Sequence, residues 1–225
     1  LKLRDVNAYI PEYPVGDACG VAQMIGEFVP VARAVIGVKS LKIITFGPRP
    51  FDFLACNAPI APLFKLGVNI QENSELDLYD AYRKHKNDPR IPGLAAEMAA
   101  ELGAGNKMPG VLPRLAQYEL TLLDWAEQNR GAAEHFAFAN KCWPAFESFF
   151  GFVPCYVNAR LTARGIPVSC EVDIYGALSE YLGACVTEGS VTLLDINNTV
   201  PEDMFEAHIA GQYPYGSREV FMGFH

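Results

Sequence analysis

Two carboxylates, Glu171 and Asp173, stand two residues apart at the end of the run Gly165-Ile166-Pro167-Val168-Ser169-Cys170. In an extended chain side chains alternate with period two, so both acids would share one face. Like charges that close are unfavourable unless a cation, hydrogen bonds or a shifted proton affinity compensates. A hard divalent cation such as Mn²⁺ or Mg²⁺, which prefers carboxylate oxygen, is one such compensation. The other reading is a helix start, with Asp173 as N-cap or first-turn acid and Glu171 solvated. Asp195 closes a second apolar run, Val191-Thr192-Leu193-Leu194-Asp195-Ile196, where it could reach a site or orient a ligand, or equally form the turn before Asn197-Asn198. Arg49 follows Gly47-Pro48, so contact with a substrate or a neighbouring subunit competes with a solvated loop position. Trp143 offers an apolar face to a sugar ring, although an aromatic residue beside Pro144 is more often core.

Other reactive residue types are less promising. Cys19, Cys56, Cys142, Cys155, Cys170 and Cys185 contain no C-x-x-C pair of the kind that holds structural zinc, and none has a nearby His to make it a nucleophile. They are expected to be small buried apolar groups in a reducing compartment. His85 and His135 fall in polar helical surroundings and His208 in a loop, as surface or structural residues. Gly103-Ala104-Gly105 follows a predicted helix, whereas a dinucleotide loop needs a preceding strand. Eighteen basic and 26 acidic residues give a net charge of −8, which offers no footprint for nucleic acid or an anionic membrane. A chain of 225 residues, 50% hydrophobic, can bury a sizeable core, and without an uncharged apolar stretch of spanning length no membrane helix is expected.

Something must position these groups, and the patterning is that of an α/β fold. Val21, Ile25, Phe28, Val29, Ala32, Val35 and Ile36 recur at helical spacing, with Asp17 as cap, Pro30 as kink and Gly37 as stop. Leu41 to Phe46 is β-branched and closed by Gly47-Pro48, a strand. A short helix over 51–64 and a second strand at 67–70 complete a βαβ unit, hence a parallel sheet. Ser74 caps a helix to about Lys84, Pro92 suits a first helical turn, and 115–128 is helical. Helices are also predicted around 133–139 and from Asp173 to Leu182, with strands at 165–173 and 191–196. Ligands of such sheets bind beyond the strands' carboxyl ends, where Arg49, Glu171, Asp173 and Asp195 would lie.

The segments Asn140-Lys141-Cys142-Trp143-Pro144-Ala145-Phe146-Glu147, Val153-Pro154-Cys155 and Gly165 through Leu178 together resemble the L-fucose isomerase and L-arabinose isomerase family. Ile43-Ile44-Thr45-Phe46-Gly47-Pro48-Arg49-Pro50, followed by Phe53-Leu54-Ala55-Cys56-Asn57, is similar to the start of that family's second domain. The resemblance covers nearly the whole chain and is most specific from Cys142 to Leu178. It implies that residues 1–166 are a Rossmann-like second domain and 167–225 the start of a C-terminal β-barrel-like domain. With no initiating Met and an apolar end at His225, the chain is expected to be an internal fragment. The resemblance further implies an aldose–ketose isomerase that binds Mn²⁺, or another divalent cation such as Mg²⁺, through Glu147, Asp173 and a His, for which His225 is the candidate. Glu147 and Asp173 would also be the acid and base of an enediol mechanism that needs no organic cofactor. Trp143, Arg49 and Asp195 remain candidate substrate contacts. Its members imply a cytoplasmic homo-oligomer, trimer or hexamer, acting on a small aldose or ketose without nucleic acid or membrane. The alternative is a sugar-binding module or regulator that kept the fold and lost the chemistry. Retention of both acids argues against it.

Overall fold

The computed structural model describes Arg4 and residues 8–224. Two compact units divide the chain, Leu1–Ser190 and Val191–His225. In the first, strands β1 (Leu41–Gly47), β2 (Asn69–Ser74), β3 (His135–Ala139) and β4 (Val168–Ser169) form one sheet in the order β2-β1-β3-β4. All three pairings are parallel, as expected of an α/β fold. Around it lie α1 (Ala18–Val38), α2 (Ala61–Lys65), α3 (Glu75–Lys84), α4 (Ile91–Leu102), α5 (Leu112–Gln128), α6 (Phe146–Phe150), α7 (Cys155–Ala163) and α8 (Ile174–Thr187). The second unit pairs β5 (Asp195–Asn197) antiparallel with β6 (Met222–Phe224) beside α9 (Glu202–His208). Among the described residues that unit is a two-stranded sheet, without the barrel the family resemblance implies. β4 and α8, assigned from the sequence to the far side of a seam at residue 167, belong to the first unit.

Alternation within the strands explains the layering. Ile44 and Phe46 of β1 and Phe136 and Phe138 of β3 enter one core with Leu78, Met98, Tyr118 and Val157. Leu41, Ile43, Ala137 and Ala139 enter the other, with Val38, Leu63, Ala177 and Tyr181. A sheet buried on both faces has near-continuous apolar strands, and β1 is buried at every position. The same rule corrects the expected helix at 133–139. Phe136-Ala137-Phe138-Ala139 is a buried central strand, because large and small residues alternate to suit two different faces.

Capping follows the sequence closely. Asp17 Oδ1 accepts from the Gly20 amide at 2.8 Å, and Ser74 with Asp77 forms a capping box at the start of α3. Helix α1 runs through Pro30 and past Gly37 to Val38. By length and composition it is apolar enough to cross a membrane despite Glu27 and Arg33, unlike the expectation from uncharged stretches alone. Core helices of soluble proteins and signal sequences pass the same test. Ile25, Phe28, Val29, Val35 and Ile36 are exposed on it. Its other side packs on α8, where Arg33 Nη1 donates to the Cys185 carbonyl at 2.6 Å and Arg33 pairs with Glu188 at 3.0 Å. A Cβ at Gly37 would lie 2.5 Å from the Tyr181 hydroxyl and 3.2 Å from its Cζ.

Charge is also buried behind the sheet. Arg160, 5% exposed, is satisfied by the fully buried Glu119 and by Glu101 at 2.7 Å and Glu97 at 3.2 Å. The Arg160 guanidinium, helped by the Tyr156 hydroxyl, holds the Glu101 carboxyl down at about 2.

Two outcomes are expected. Gly37→Ala destabilises the fold by about 1–3 kcal/mol through overpacking, and adding Tyr181→Phe restores part of the loss in urea denaturation midpoints. Because Glu101 is depressed in the folded state, its contribution is complete above the ordinary value of 4.5 and vanishes as pH falls through about 2. Unfolding midpoints measured over that window should fall less steeply in Glu101→Gln than in the parent.

Candidate active site at the carboxyl edge of the sheet

Four parallel strands deliver their carboxyl ends to one edge. Gly47 ends β1, Ser74 ends β2, and β3 and β4 run on into Asn140-Lys141-Cys142 and Cys170-Glu171-Val172-Asp173. β4 stops after two residues because the backbone turns there. The Asn140 amide donates to the Ser169 carbonyl at 3.1 Å, and the Val172 amide donates back to the Asn140 carbonyl at 2.8 Å. The Asp173 amide closes on the Cys170 carbonyl at 3.0 Å, and Ser169 Oγ donates to the Asp173 carbonyl at 2.6 Å. Glu171 and Val172 consequently take φ of 58° and 53°. Left-handed backbone is disfavoured for any side chain and most for a β-branched one, at about 1–3 kcal/mol per residue. Burial of Val172 among Ala139, Ile174 and Ala177 holds it there. The acids are therefore not spaced along an extended strand as the alternating pattern suggests.

Each candidate acid has a distinct setting. Glu171 is half-buried, with Oε1 3.4 Å from Cys170 Sγ and Oε2 buried without a hydrogen-bond partner. Such a carboxylate oxygen is costly unless a cation or a proton meets it. Asp173 sits at the N-cap of α8, as the helix-start reading expects, but its side chain makes no capping hydrogen bond. It is half-buried where the helix dipole favours an anion. Glu147 occupies the first turn of α6, exposed between the buried Phe146 and Phe150. A cavity of about 300 Å³ opens beside α6, lined by Gly47, Pro48, Glu75, Tyr79, Phe146 and Phe149. Lys141, 6% exposed, donates to Glu75 Oε2 at 3.0 Å and leaves Glu75 Oε1 buried and unpartnered.

The remaining candidates are more scattered. Trp143 is half-buried, its ring 5.8 Å from that of Phe53. Arg49 Nη1 reaches the carbonyls of Cys56 and Ala58 at 3.4 and 3.3 Å and ties down the loop after β1. Asp195 begins β5 in the second unit, exposed, instead of closing the strand expected at 191–196. His225 lies outside the described residues. His85 is held by the Ala81 carbonyl and Asp124, each at 2.9 Å, a structural role as expected. His135 opens β3 and is not helical, and His208 ends α9 instead of lying in a loop. Of the six cysteines, all free, only Cys170 is buried, while Cys19 and Cys155 are exposed, against the expectation for the set.

Sequence reasoning missed the Glu75–Lys141 pair and left Glu171 between a cation-facing acid and a solvated one. The signal for the pair was present, since Glu75 follows the capping Ser74 and Lys141 follows an apolar run. Reading that run as a helix hid that both residues leave strands at the same edge.

No family model matches the chain. Among curated proteins it is 29% identical over 170 residues to a sulfoquinovose isomerase of Alkalicoccus urumqiensis, an alignment covering 74% of this chain and 37% of that protein. It is 27% identical over 156 residues to a sulfoquinovose isomerase of Priestia aryabhattai, covering 68% and 33% respectively. A third, from a Clostridium species, is 43% identical over 51 residues, 23% of this chain and 11% of that protein. The chain thus spans about a third of the length of the first two relatives. All three are named as isomerases of one sugar, which is not L-fucose or L-arabinose.

The turn that presents Glu171 depends on Asn140, whose side chain donates to Tyr118 Oη at 2.8 Å and exchanges hydrogen bonds with Asn158. Asn140→Ala would leave both partners buried and short of a bond, and should lower stability by about 1–3 kcal/mol in urea denaturation.

Proposed function

We propose that this chain carries part of the active site of an aldose–ketose isomerase. Glu171, Asp173 and Glu147 are its acids, and β1, β3 and β4 form the platform. The observation that supports it most is the partnerless buried oxygen of Glu171, at the edge where parallel sheets bind ligands. The names of the relatives point to the same reaction class.

A hard divalent cation, Mn²⁺ or Mg²⁺, is the proposed ion for these carboxylates, because Glu171 keeps one buried oxygen that the protein itself leaves uncompensated. Asp173 and Glu147 keep the roles expected from the family resemblance, and Glu171 joins them as a proposed ligand. When bound, such an ion polarises the oxygens on C1 and C2 and stabilises the charge that develops between them.

Chemistry at the carbons falls to the side chains. Converting an aldose to a ketose moves a proton from C2 to C1 and another from the C2 hydroxyl to the C1 oxygen. Asp173, half-buried and fixed by α8, is the proposed base at carbon. Glu147, open to solvent, is the proposed exchanger of the proton between the oxygens. Lys141 holds Glu75 Oε2, so that Glu75 Oε1 is free to accept from a substrate hydroxyl in the cavity. Trp143 supplies an apolar ring face, and Arg49 braces the loop.

A sulfonated aldose is the first substrate to test, ahead of L-fucose, D-arabinose and L-arabinose, because of the relatives' names. A cytoplasmic trimer or hexamer is part of this reading. Full-length protein containing this chain should form ketose from at least one of these sugars, followed by NMR, with turnover raised by added Mn²⁺. Asp173→Asn and Glu171→Gln should each lower kcat by about a hundredfold or more with unchanged circular dichroism. Binding of a sugar without ketose formation, in the presence of Mn²⁺, would instead identify a sugar-binding module.

A further inference from the structure

We propose that Cys142, Cys170 and Glu171 form a site for one thiophilic divalent cation of the Zn²⁺ class. The inference goes beyond the isomerase reading and does not rest on it. Parallel pairing of Ala139 with Ser169 brings the residues that follow β3 and β4 side by side. Both thiols and the Glu171 carboxylate place one ligand atom each within 4.8 Å of the others. Cys142 Sγ and Cys170 Sγ are 4.0 Å apart, and Cys170 Sγ is 3.4 Å from Glu171 Oε1.

Those separations match the edges of a tetrahedron around zinc. Zn–S bonds of about 2.3 Å and Zn–O bonds of about 2.0 Å set an S···S edge of about 3.8 Å and an S···O edge of about 3.5 Å. Little movement is needed to seat an ion. Independently, Glu171 Oε2 is buried with no hydrogen-bond partner, as expected of a carboxylate arranged for a charge. The mixed donor set sorts the ion, because thiolates select zinc-like metals over Mn²⁺ and Mg²⁺. Water takes the fourth position. Burial and the neighbouring carboxylate push the Cys170 thiol up, so cation binding there releases its proton to solvent. Glu171 is common to this cluster and to the hard-metal set, so the two ions compete for it.

Cd²⁺ reports thiolate ligation directly through a sulfur-to-metal charge-transfer band in the ultraviolet. It is titrated into purified protein kept reduced by a phosphine, with Cys19, Cys56 and Cys185 replaced by Ser and no sugar present. The expected result is a saturable band at one ion per chain, competed away by Zn²⁺ and not by Mg²⁺. Cys142→Ser and Cys170→Ser should each remove about half of the band or more, and Glu171→Gln should weaken affinity by about tenfold while the band persists. If Cys170→Ser does not fold, Cys142→Ser carries the test, since that thiol is only half-buried. No band in the parent, or a band left undiminished by loss of Cys142, overturns the site. Because the readout involves no turnover, its failure leaves the isomerase reading standing, and inactivity toward sugars leaves the metal site standing.

Discussion

One hydrogen bond governs the carboxyl edge of this sheet, the 2.8 Å contact from the Val172 amide to the Asn140 carbonyl. It ends β4 after two residues, turns the chain through two successive left-handed residues, and starts α8 immediately afterwards. Strained backbone persists only where the surroundings over-determine it, and here they do. Asn140 is itself fixed by Tyr118 and Asn158, and Val172 is packed under the first turn of α8. The strain thus stands on two buried cores at once. Its result is a Glu171 side chain carried to a place that an extended strand would not have reached.

Much of the framework was legible because local chemistry and tertiary demand agree. Asp17 and Ser74 cap the helices they should, Leu41–Gly47 is a buried strand, and Pro92 and the residues after Pro113 open helices as expected. Failure came where the two compete. The run 135–139 has helix-forming alanines at alternate places, yet those alanines are small because α8 lies over them. The site was legible by residue type more than by geometry. The N-cap position of Asp173 was foreseen as one of two readings, whereas the orientation of Glu171 depends on a dihedral angle that no spacing rule encodes. Glu75 and Lys141 come together only once β1, β2 and β3 are known to be neighbours, a long-range fact.

Electrostatics divides the first unit into two regimes. Behind the sheet, Arg160 and Arg164 share three carboxylates, Glu97, Glu101 and Glu119, so every acid is ion-paired although one Glu119 oxygen has no hydrogen-bond partner. At the carboxyl edge the count runs the other way. Lys141 answers one oxygen of Glu75, and further carboxylate oxygens there stay buried without partners. A fold that can neutralise charge so fully in one place and leaves it open in another has an uneven demand for cations, concentrated where ligands of parallel sheets bind.

Contact between α1 and α8 at Gly37 has a further meaning for how this protein changes over generations. With the Tyr181 hydroxyl standing where a Cβ at 37 would go, position 37 cannot gain a side chain alone. Any side chain arriving at 37 first requires a smaller neighbour at 181, and the order of events matters. The helix pair is an epistatic lock, so lineages that lose the tyrosine early explore sequences closed to those that keep it.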